Sequence, residues 1–336
     1  MKLDVIGAVE ACYADVKNDE AWLSGLLGSL APLEQGAGSY AQVFQMSRDG
    51  NWRARCTVGR GSFRAQTVAE VEKRNNAMPP GLAERLYAPG VKYALHDFPE
   101  MRAIGKDMFD EMGCKDGLGI ISMEPDRTSV VISVFIPKRG RYLPYRTLKQ
   151  VERYSAHLAS AVRLRNAIVE SGAFGPASQE RAGAVEAVLD PNGRSLEATG
   201  AAREKSACET LADAVRRIEK ARGRLRHTGP EEALELWQGL VDGTWSLVDR
   251  HDADGKRFLL ARRNEPGVKD PVALTRRERC TVAYAAMGHQ NKYIAYLLGL
   301  PTSKISHYLA SARRKLRIRS RAELVNQFAS IVQPRP

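Results

Sequence analysis

Long apolar runs and paired cysteines are both missing from this sequence of 336 residues. No stretch stays apolar over the roughly 20 residues that a membrane-spanning helix needs. The five cysteines lie far apart without a Cys-x-x-Cys pair, so we expect neither a disulfide framework nor a zinc site. Acids from Asp4 onward replace an apolar signal core, which predicts a cytoplasmic protein without a membrane partner.

The sequence also lacks the residue patterns of a catalytic or metal centre. Gly117-Leu118-Gly119 is only a fragment of a nucleotide fingerprint, and Asp252–Gly255 lacks the closing glutamate of a calcium loop. No nucleophile and base stand at a spacing that indicates catalysis. Five histidines are scattered without metal-ligand spacing: His96, His157, His227, His251 and His289. We therefore expect no enzyme activity, cofactor or metal.

Positive charge is abundant and unevenly distributed. From Leu274 to the C-terminus, 12 Lys or Arg residues stand against two acids, a net charge of 12 − 2 = +10. The rest of the chain carries 39 − 37 = +2 of the total of +12. An excess confined to one segment indicates a polyanionic partner for that segment.

Turn signals and hydrophobic periodicity predict a multidomain protein whose first domain covers residues 1–170. Hairpins are expected around Arg48-Asp49-Gly50 and Pro125–Thr128, and a helix is expected to end at Gly113. A long helix follows, with apolar residues every three or four positions from Leu148 to Leu164. This α+β layout resembles a GAF domain and implies a sensor or dimerisation role.

A second, smaller α+β domain is predicted over residues 180–263. Hairpins around Asp190–Gly193 and Asp252–Gly255 flank a helical tract from Ala202 to about Leu225. This order resembles a small PAS-type domain. Small, polar or proline-rich residues predict linkers on either side, at Ser171–Gln179 and Asn264–Ala273.

The third predicted domain is all-α, with four short helices over residues 274–332. Thr275 with Glu278 and Ser320 with Glu323 have capping-box spacing. Asn291 is the expected cap of the second helix, and Thr302 or Ser303 that of the third. Glycines 288 and 299 are expected to end the first two helices.

The third helix of this domain is amphipathic. Its apolar stripe consists of Ile305, Leu309, Ala312 and Leu316. The other side is short or polar near its N-terminal end and cationic near its C-terminal end. Slim polar side chains allow close approach to base edges in a major groove, and cations further along meet phosphates. The pattern favours a DNA-reading helix over a membrane-surface helix, since its apolar residues are needed inside the domain.

At this point the residues resemble a known family, the LuxR/GerE-type helix-turn-helix. The resemblance implies that the second and third helices read DNA, that Lys292 contacts the backbone, and that the fourth helix supports dimerisation. Three positions depart from the family pattern, where lysine, histidine and glycine are usual: Ser306, Tyr308 and Arg317. A changed target sequence is therefore expected. The matching positions are Leu274, Thr275, Arg277, Glu278, Val282, Gly288, Asn291, Lys292, Ile294, Ala295, Leu298, Gly299, Ser303, Ile305, Leu309, Lys315, Leu316, Ser320 and Arg321.

These observations together predict a bacterial, sequence-specific transcriptional regulator that binds double-stranded DNA as a homodimer and engages RNA polymerase. Its signal is expected to be a small molecule or a protein, and a purely structural dimerisation role of the first domain is the competing hypothesis. The alternative function is a sigma-like factor, because residues 309–317 also resemble the end of a region-4 helix. The predicted DNA contacts are Lys292, Thr302, Ser303, Lys304, Ser306, His307, Arg313, Arg314, Lys315 and Arg317.

Overall fold

The structure, a computed structural model, divides the chain into two compact units. Unit 1 contains residues 1–123 and 127–159, and unit 2 contains residues 124–126 and 160–336. The predicted linker Ser171–Gln179 and nine of the ten residues of Asn264–Ala273 lie outside the described residues. The described residues are 3–16, 18–46, 52–61, 63, 73, 77–124, 128–170, 184–252, 254–264, 274–316, 318 and 320–325.

Unit 1 is built on a five-stranded antiparallel sheet with the order β2-β1-β5-β4-β3. The strands of both predicted hairpins pair as expected, while residues 48–50 and 125–127 of their turns lie outside the described residues. The helix before Gly113 and the long closing helix are confirmed. The elements are α1 (Val5–Cys12), α2 (Asp19–Leu30), β1 (Ser39–Met46), β2 (Trp52–Arg60), α3 (Pro80–Leu86), β3 (Gly90–Tyr93), α4 (Arg102–Glu111), β4 (Cys114–Met123), β5 (Thr128–Pro137) and α5 (Tyr145–Glu170), with short 3-10 turns at Ala31–Leu33 and Pro99–Met101. The residues of α5 from Ser160 onward belong to unit 2.

Helices cover both faces of this sheet. Every residue of β5 is buried except Ser133 and Pro137, which are half-buried, so its side chains pack on either side. Helix α2 packs against β1 and β2, and α4 packs against β4. A strand that is buried at nearly every position is typical of a sheet with two covered faces.

A buried histidine lies where α5 meets the N-terminal helices of unit 1. The imidazole Nδ1 of His157 lies 3.2 Å from the Tyr13 hydroxyl, and His157 is 1% exposed. Burial lowers the pKa of His157 to about 3, because the imidazolium would lose its hydration in this environment. His157 is therefore neutral at physiological pH.

The first part of unit 2 holds a second antiparallel sheet, with the order β7-β6-β9-β8. The predicted turn at Asp190–Gly193 is confirmed: the Asp190 carboxylate accepts hydrogen bonds from the amides of Asn192 and Arg194 at 2.9 Å. Gly193 adopts a φ of +83° there. The elements are β6 (Val185–Leu189), β7 (Ser195–Ala198), α6 (Lys205–Arg222), α7 (Leu225–Thr228), α8 (Pro230–Leu236), β8 (Trp245–His251) and β9 (Arg257–Arg263), with a 3-10 turn at Gly200–Arg203.

The C-terminal part of unit 2 is helical, with α9 (Arg276–Ala286), α10 (Asn291–Leu298) and α11 (Thr302–Leu316). A fourth helix begins at residue 321 and is described as far as 325. Two antiparallel sheets with helices and an all-α C-terminal part confirm the predicted multidomain class of two α+β domains and one all-α domain. The domain boundaries 1–170, 180–263 and 274–332 stay a prediction.

Local capping explains where these C-terminal helices begin and end. The capping box of Thr275 and Glu278 is complete, and the Ser320 hydroxyl accepts from the Glu323 amide at 3.0 Å. Gly288 and Gly299 adopt the expected left-handed conformation, with φ of +86° and +63°.

Two of the predicted caps are wrong. Asn291 is the first residue of α10, and the cap position before it is held by Gln290, whose side chain makes no capping hydrogen bond. Helix α11 already includes Thr302, and the amides of Lys304 and Ile305 donate to the Pro301 carbonyl, so neither Thr302 nor Ser303 stands before the helix. The amide side chain of Asn291 instead donates to the Ser306 hydroxyl at 3.3 Å, a tertiary contact that satisfies its polar group elsewhere.

Candidate nucleic-acid interface

One side of helix α11 closes the C-terminal domain. Ile305 and Ala312 are fully buried and Leu309 is 6% exposed, while Leu316, at the end of the stripe, is half-buried. The helix packs against both α9 and α10. The predicted apolar stripe is thus confirmed as the inner face, and its burial fixes which residues face outward.

The outer side of α11 is polar and accessible. The structure places the predicted DNA contacts as follows: Lys292, Thr302, Ser303, Lys304, Ser306, His307, Arg314 and Lys315 are exposed, Arg313 is half-buried, and Arg317 lies outside the described residues. Short side chains at Thr302, Ser303 and Ser306 lie in the first two turns, where a major groove needs close approach. The exposed cations Arg314 and Lys315 lie in the last turn, where phosphate oxygens would be met.

Lys315 differs from the other exposed cations because it is already paired. Its ammonium lies 2.7 Å from the carboxylate of Glu278, which also completes the capping box of α9. Burial acts to raise the pKa of Glu278, but hydrogen bonds from Lys315, Ser311 and Thr275 outweigh it and lower the pKa to about 2. The Lys315 charge therefore stabilises the packing of α11 on α9 before any DNA is bound.

Tyr308 and Ser306, two of the positions that depart from the family pattern, both form side-chain hydrogen bonds within the domain. The Tyr308 side chain is half-buried and accepts a hydrogen bond from Arg277. Asn291, which donates to Ser306, also accepts from Arg321, and Arg321 donates to the His289 carbonyl at 2.8 Å. The sequence marks Ser306 and Tyr308 only as departures from the family pattern. It does not reveal their hydrogen bonds, because the partners lie on other helices.

The C-terminal helices contact α8 and the segment that follows it. The Tyr296 hydroxyl donates to the Leu234 carbonyl at 2.8 Å, and the Arg277 guanidinium lies 2.8 Å from the Asp242 carboxylate. A Cβ atom on Gly299 would lie 1.6 Å from the Leu240 carbonyl oxygen, so only glycine allows this approach. These contacts leave the outer side of α11 uncovered.

A buried polar cluster inside unit 2 holds α9 in place. The Arg163 guanidinium donates to Glu124 at 3.0 Å, to the Tyr284 hydroxyl at 2.5 Å and to Asn264 at 3.0 Å. Tyr284 also donates to Glu124 at 2.9 Å, and burial raises its pKa well above the usual range. A buried ion pair of this kind is tolerated because neighbouring dipoles satisfy its remaining donors and acceptors.

Asn264 corrects one part of the sequence interpretation. It was assigned to a linker, yet it is 1% exposed and its side-chain amide donates to the Ser160 carbonyl at 3.1 Å and to the Ser246 hydroxyl at 2.6 Å. The composition of the following residues, with two prolines and a glycine, concealed this role. The structural reason is that Asn264 directly follows β9 and continues its buried side.

Other chemistry is not evident in the part of the chain that the structure describes. There, no group of three or more His, Cys, Asp or Glu side chains is placed to hold a metal ion. None of the helices described is both long and apolar enough to cross a membrane.

Comparison with known proteins adds a family assignment for the C-terminal segment. The family of bacterial regulatory proteins, luxR family, matches residues 272–328. No curated protein matches the chain.

Solved structures similar to this chain include SdiA of Escherichia coli, which is 11% identical, with a TM-score of 0.33 over 96% of this chain and 94% of that one. The photoproduct state of GAF3 from Slr1393 of Synechocystis is 9% identical, with a TM-score of 0.30 over 39% and 85%. The phytochrome photosensory core module of Stigmatella aurantiaca is 15% identical, with a TM-score of 0.31 over 79% and 61%. TM-scores this low carry no argument about function.

The family match and the geometry of α10 and α11 agree. The matched residues contain the capping box of α9, the left-handed Gly299 and the outward polar side of α11. Residues 272–328 are a helix-turn-helix DNA-binding domain of the luxR family of bacterial regulatory proteins.

Proposed function

We propose that this protein is a bacterial, cytoplasmic regulator of transcription that binds specific DNA sequences as a homodimer. The observation that carries the proposal is the division of α11 into a buried apolar side and an exposed side graded from short polar residues to cations. The net charge of +10 from Leu274 onward supplies the attraction to phosphate that brings such a helix to DNA.

In the proposed complex, two groups of residues on the exposed side have different tasks. Lys292 and Arg314 are exposed, and they neutralise phosphates at either end of the reading unit. Thr302, the first residue of α11, directly precedes the residues that read the bases and lies on the DNA with them. That group consists of Ser303, Lys304, Ser306 and His307, which donate to or accept from base edges in the major groove.

The pairing of Ser306 with Asn291 supports a change of target. A lysine at this position would project a cation into the groove, whereas the Ser306 hydroxyl is short and already accepts one hydrogen bond. Tyr308 is likewise turned toward Arg277 and away from the outer side. We therefore expect an operator that differs from those of relatives with lysine and histidine at these positions.

The regulator is proposed to respond to a small ligand or a protein through its N-terminal unit, and to act on RNA polymerase at promoters. A cavity against the sheet of unit 1 supports ligand control over a purely structural role. The resemblance of the C-terminal domain to its family supports dimerisation through the fourth helix.

The central test is DNA binding by gel retardation and fluorescence anisotropy, on fragments selected by genome-wide mapping of bound sites. For six to ten phosphate contacts, affinity should fall about 10³- to 10⁵-fold between 50 and 200 mM salt. Arg314→Ala should reduce the slope of log affinity against log salt by about 1 for each subunit. Arg216→Ala, which removes an exposed arginine on α6, is the matched control and should leave the slope unchanged.

Two outcomes would count against the proposal. The proposal that α11 reads DNA would be wrong if the protein bound no specific DNA. It would also be wrong if Arg314→Ala left the binding of specific DNA unchanged. Transcription by core RNA polymerase that starts only when this protein is added would instead support the sigma-like alternative.

A further inference from the structure

A second, larger cleft of about 330 Å³ lies in unit 1, at the edge of the sheet where β3 and β5 end and β4 begins. The antiparallel pairing of β4 with both β3 and β5 brings these three strand ends together. Helix α4 packs against β4 and supplies one wall. The volume lies within the range of roughly 300–1,000 Å³ that is usual for small-molecule sites. The cleft therefore has room for a small organic molecule.

The lining of this cleft carries an excess of positive charge. Asp110 is the one carboxylate among the described residues that line it, and the lining also contains four cations, so their sum is 4 − 1 = +3 with histidine neutral. The cations come from three parts of the fold: Arg102 and Lys106 of α4, Lys115 of β4, and Lys138 directly after β5. Cations that converge on one concave surface indicate an anionic ligand.

Helix spacing places the residues that α4 contributes. Arg102, Lys106 and Asp110 follow each other at intervals of four, so they lie on one face of the helix. The Asp110 carboxylate bonds to Lys106 and to Lys138, each at 3.0 Å. These hydrogen bonds lower the pKa of Asp110, so it is ionised at neutral pH. One carboxylate thus holds two ammonium groups near each other and offsets only one of their two charges.

A buried carboxylate fixes another wall of the cleft. Asp116 of β4 is fully buried and accepts hydrogen bonds from the backbone amides of Leu95 and His96, at 2.7 and 3.0 Å. The Tyr142 hydroxyl donates to the same carboxylate at 3.2 Å, and the Lys115 ammonium lies 4.5 Å from the centre of the Tyr142 ring. Tyr142 is nevertheless 41% exposed, so an anchored aromatic side chain borders the cleft. With Asp116 included, the net charge around the cleft is still +2.

We propose that this cleft binds a small organic phosphate monoester, with its phosphate on Arg102, Lys106 and Lys138 and its organic part against Tyr142. The planar guanidinium of an arginine matches two phosphate oxygens at once. A phosphate monoester carries nearly two negative charges, so it displaces the single charge of Asp110 from the two lysines. The proposal deepens the ligand control suggested above: its regulatory meaning rests on the proposed function, whereas binding itself requires no DNA.

Calorimetric titration of the full chain with phenyl phosphate and with phenyl sulfate tests the choice of ligand. The two probes have nearly the same shape, but at pH 8 the phosphate carries close to two negative charges and the sulfate carries one. In about 0.15 M salt, phenyl phosphate should bind at least about ten-fold more tightly and should raise the thermal unfolding temperature. Inorganic phosphate, which lacks the ring, should bind more weakly than phenyl phosphate.

Three results of these titrations would overturn the proposal. They are the absence of phenyl phosphate binding, equal affinity for the two phenyl probes, and equal affinity for inorganic phosphate and phenyl phosphate.

Neighbouring residues provide a matched control for the cations. Arg102→Gln and Lys138→Gln should each weaken phenyl phosphate binding about ten-fold, because each removes a charged hydrogen-bond donor. Arg139→Gln removes the adjacent exposed cation, which lies outside the lining, and should leave the affinity unchanged. Equal losses for Lys138→Gln and Arg139→Gln would reveal attraction by net charge alone and contradict a defined site.

The carboxylate that competes with the ligand provides an arm of opposite sign. Asp110→Asn should tighten phenyl phosphate binding at least about three-fold, because it releases Lys106 and Lys138 and removes a repulsive charge. Asp107→Asn, an exposed position of the same helix outside the lining, is the control and should have no effect. Asp110 is exposed, so its variant is expected to fold. Unchanged or weaker binding by Asp110→Asn would place the phosphate elsewhere.

Further arms separate this inference from the proposed function and from a lipid-borne phosphate. Arg314→Ala should leave phenyl phosphate affinity unchanged, which excludes capture by the DNA-binding surface. A protein that binds phenyl phosphate but no specific DNA would retain this inference and lose the proposed function, and the converse result would do the reverse. The protein should not sediment with phosphatidylcholine vesicles that contain phosphatidate. Sedimentation that Arg102→Gln prevents would replace the soluble ligand by a lipid headgroup.

Discussion

Two glycines of the C-terminal domain share a left-handed backbone but differ in their surroundings. Gly288 has a φ of +86° with nothing within 4 Å of the position that a Cβ would take. Gly299 has a φ of +63°, and its Cβ would overlap the Leu240 carbonyl. Their comparison separates backbone strain from a steric clash.

We expect Gly288→Ala to reduce the free energy of unfolding by about 1–2 kcal/mol, the cost of a left-handed non-glycine residue. Gly299→Ala should cost that amount plus at least about 1–3 kcal/mol of overpacking against the backbone. Urea unfolding followed by circular dichroism measures both. Equal losses for the two variants would contradict the close approach of Gly299 to Leu240.

The buried His157 predicts a pH dependence of unit 1. Its folded pKa of about 3 lies below the unfolded value of about 6.5, so the unfolded state binds the extra proton between these values. The stability contribution of His157 is therefore complete above pH 6.5 and is lost as the pH falls toward 3. The slope should approach 1.4 kcal/mol per pH unit within this window.

Urea titrations between pH 7 and pH 4 check this prediction. His157→Gln should flatten the curve by about one proton, because the unfolded variant no longer binds the proton that the buried imidazole excludes. A wild-type slope that His157→Gln does not alter would exclude a neutral, buried imidazole.

At the scale of elements, the ion pair of Arg163 with Glu124 decides how firmly α9 is held. Both side chains are less than 10% exposed, and Tyr284 of α9 bonds to both. Removing one partner takes the opposite charge away from the other buried group, which typically costs about 3–5 kcal/mol.

Arg163→Met should therefore destabilise unit 2 by about 3–5 kcal/mol in chemical unfolding, and Glu124→Leu should have a similar effect. The double variant should recover much of the loss, since it removes both charges together. Arg85→Met, at an exposed pair with Glu100, is the control and should cost less than about 1 kcal/mol. Additive losses in the double variant would contradict a coupled pair.

The C-terminal elements were the most predictable part of the fold. The complete capping box at Thr275 and the left-handed Gly299 result from interactions within a few residues, which a sequence displays directly. The wrong caps have the same origin. Asn291 has the right residue type for a cap, but its side chain bonds to Ser306 across the helix-turn-helix, and no local pattern reports such a choice.

At the scale of the whole molecule, the charge distribution and the proposed dimer make a geometric prediction. Two copies of α11 in one dimer should contact half-sites about 34–36 Å apart, one turn of DNA. Inserting five base pairs between the half-sites should turn one of them to the opposite face of the duplex and weaken binding at least ten-fold. Inserting ten base pairs, as the control, restores the face and separates rotation from distance. Anisotropy titrations measure both; equal binding to all three spacings would contradict a rigid dimer.

The sequence by itself determined the hairpins, the long helix α5, the C-terminal helices, the outward side of α11 and the location of positive charge. These depend on periodicity, capping and composition, all of which act over short separations along the chain. The tertiary structure alone decided the roles of residues that meet over long separations. Glu124 lies 39 residues from Arg163 and 160 residues from Tyr284 along the chain. Lys92, Gly119, Ser133 and Tyr40 lie side by side on neighbouring strands only because of the strand register. A buried charge or a cavity depends on which distant residues become neighbours, and this is fixed only when the whole chain packs.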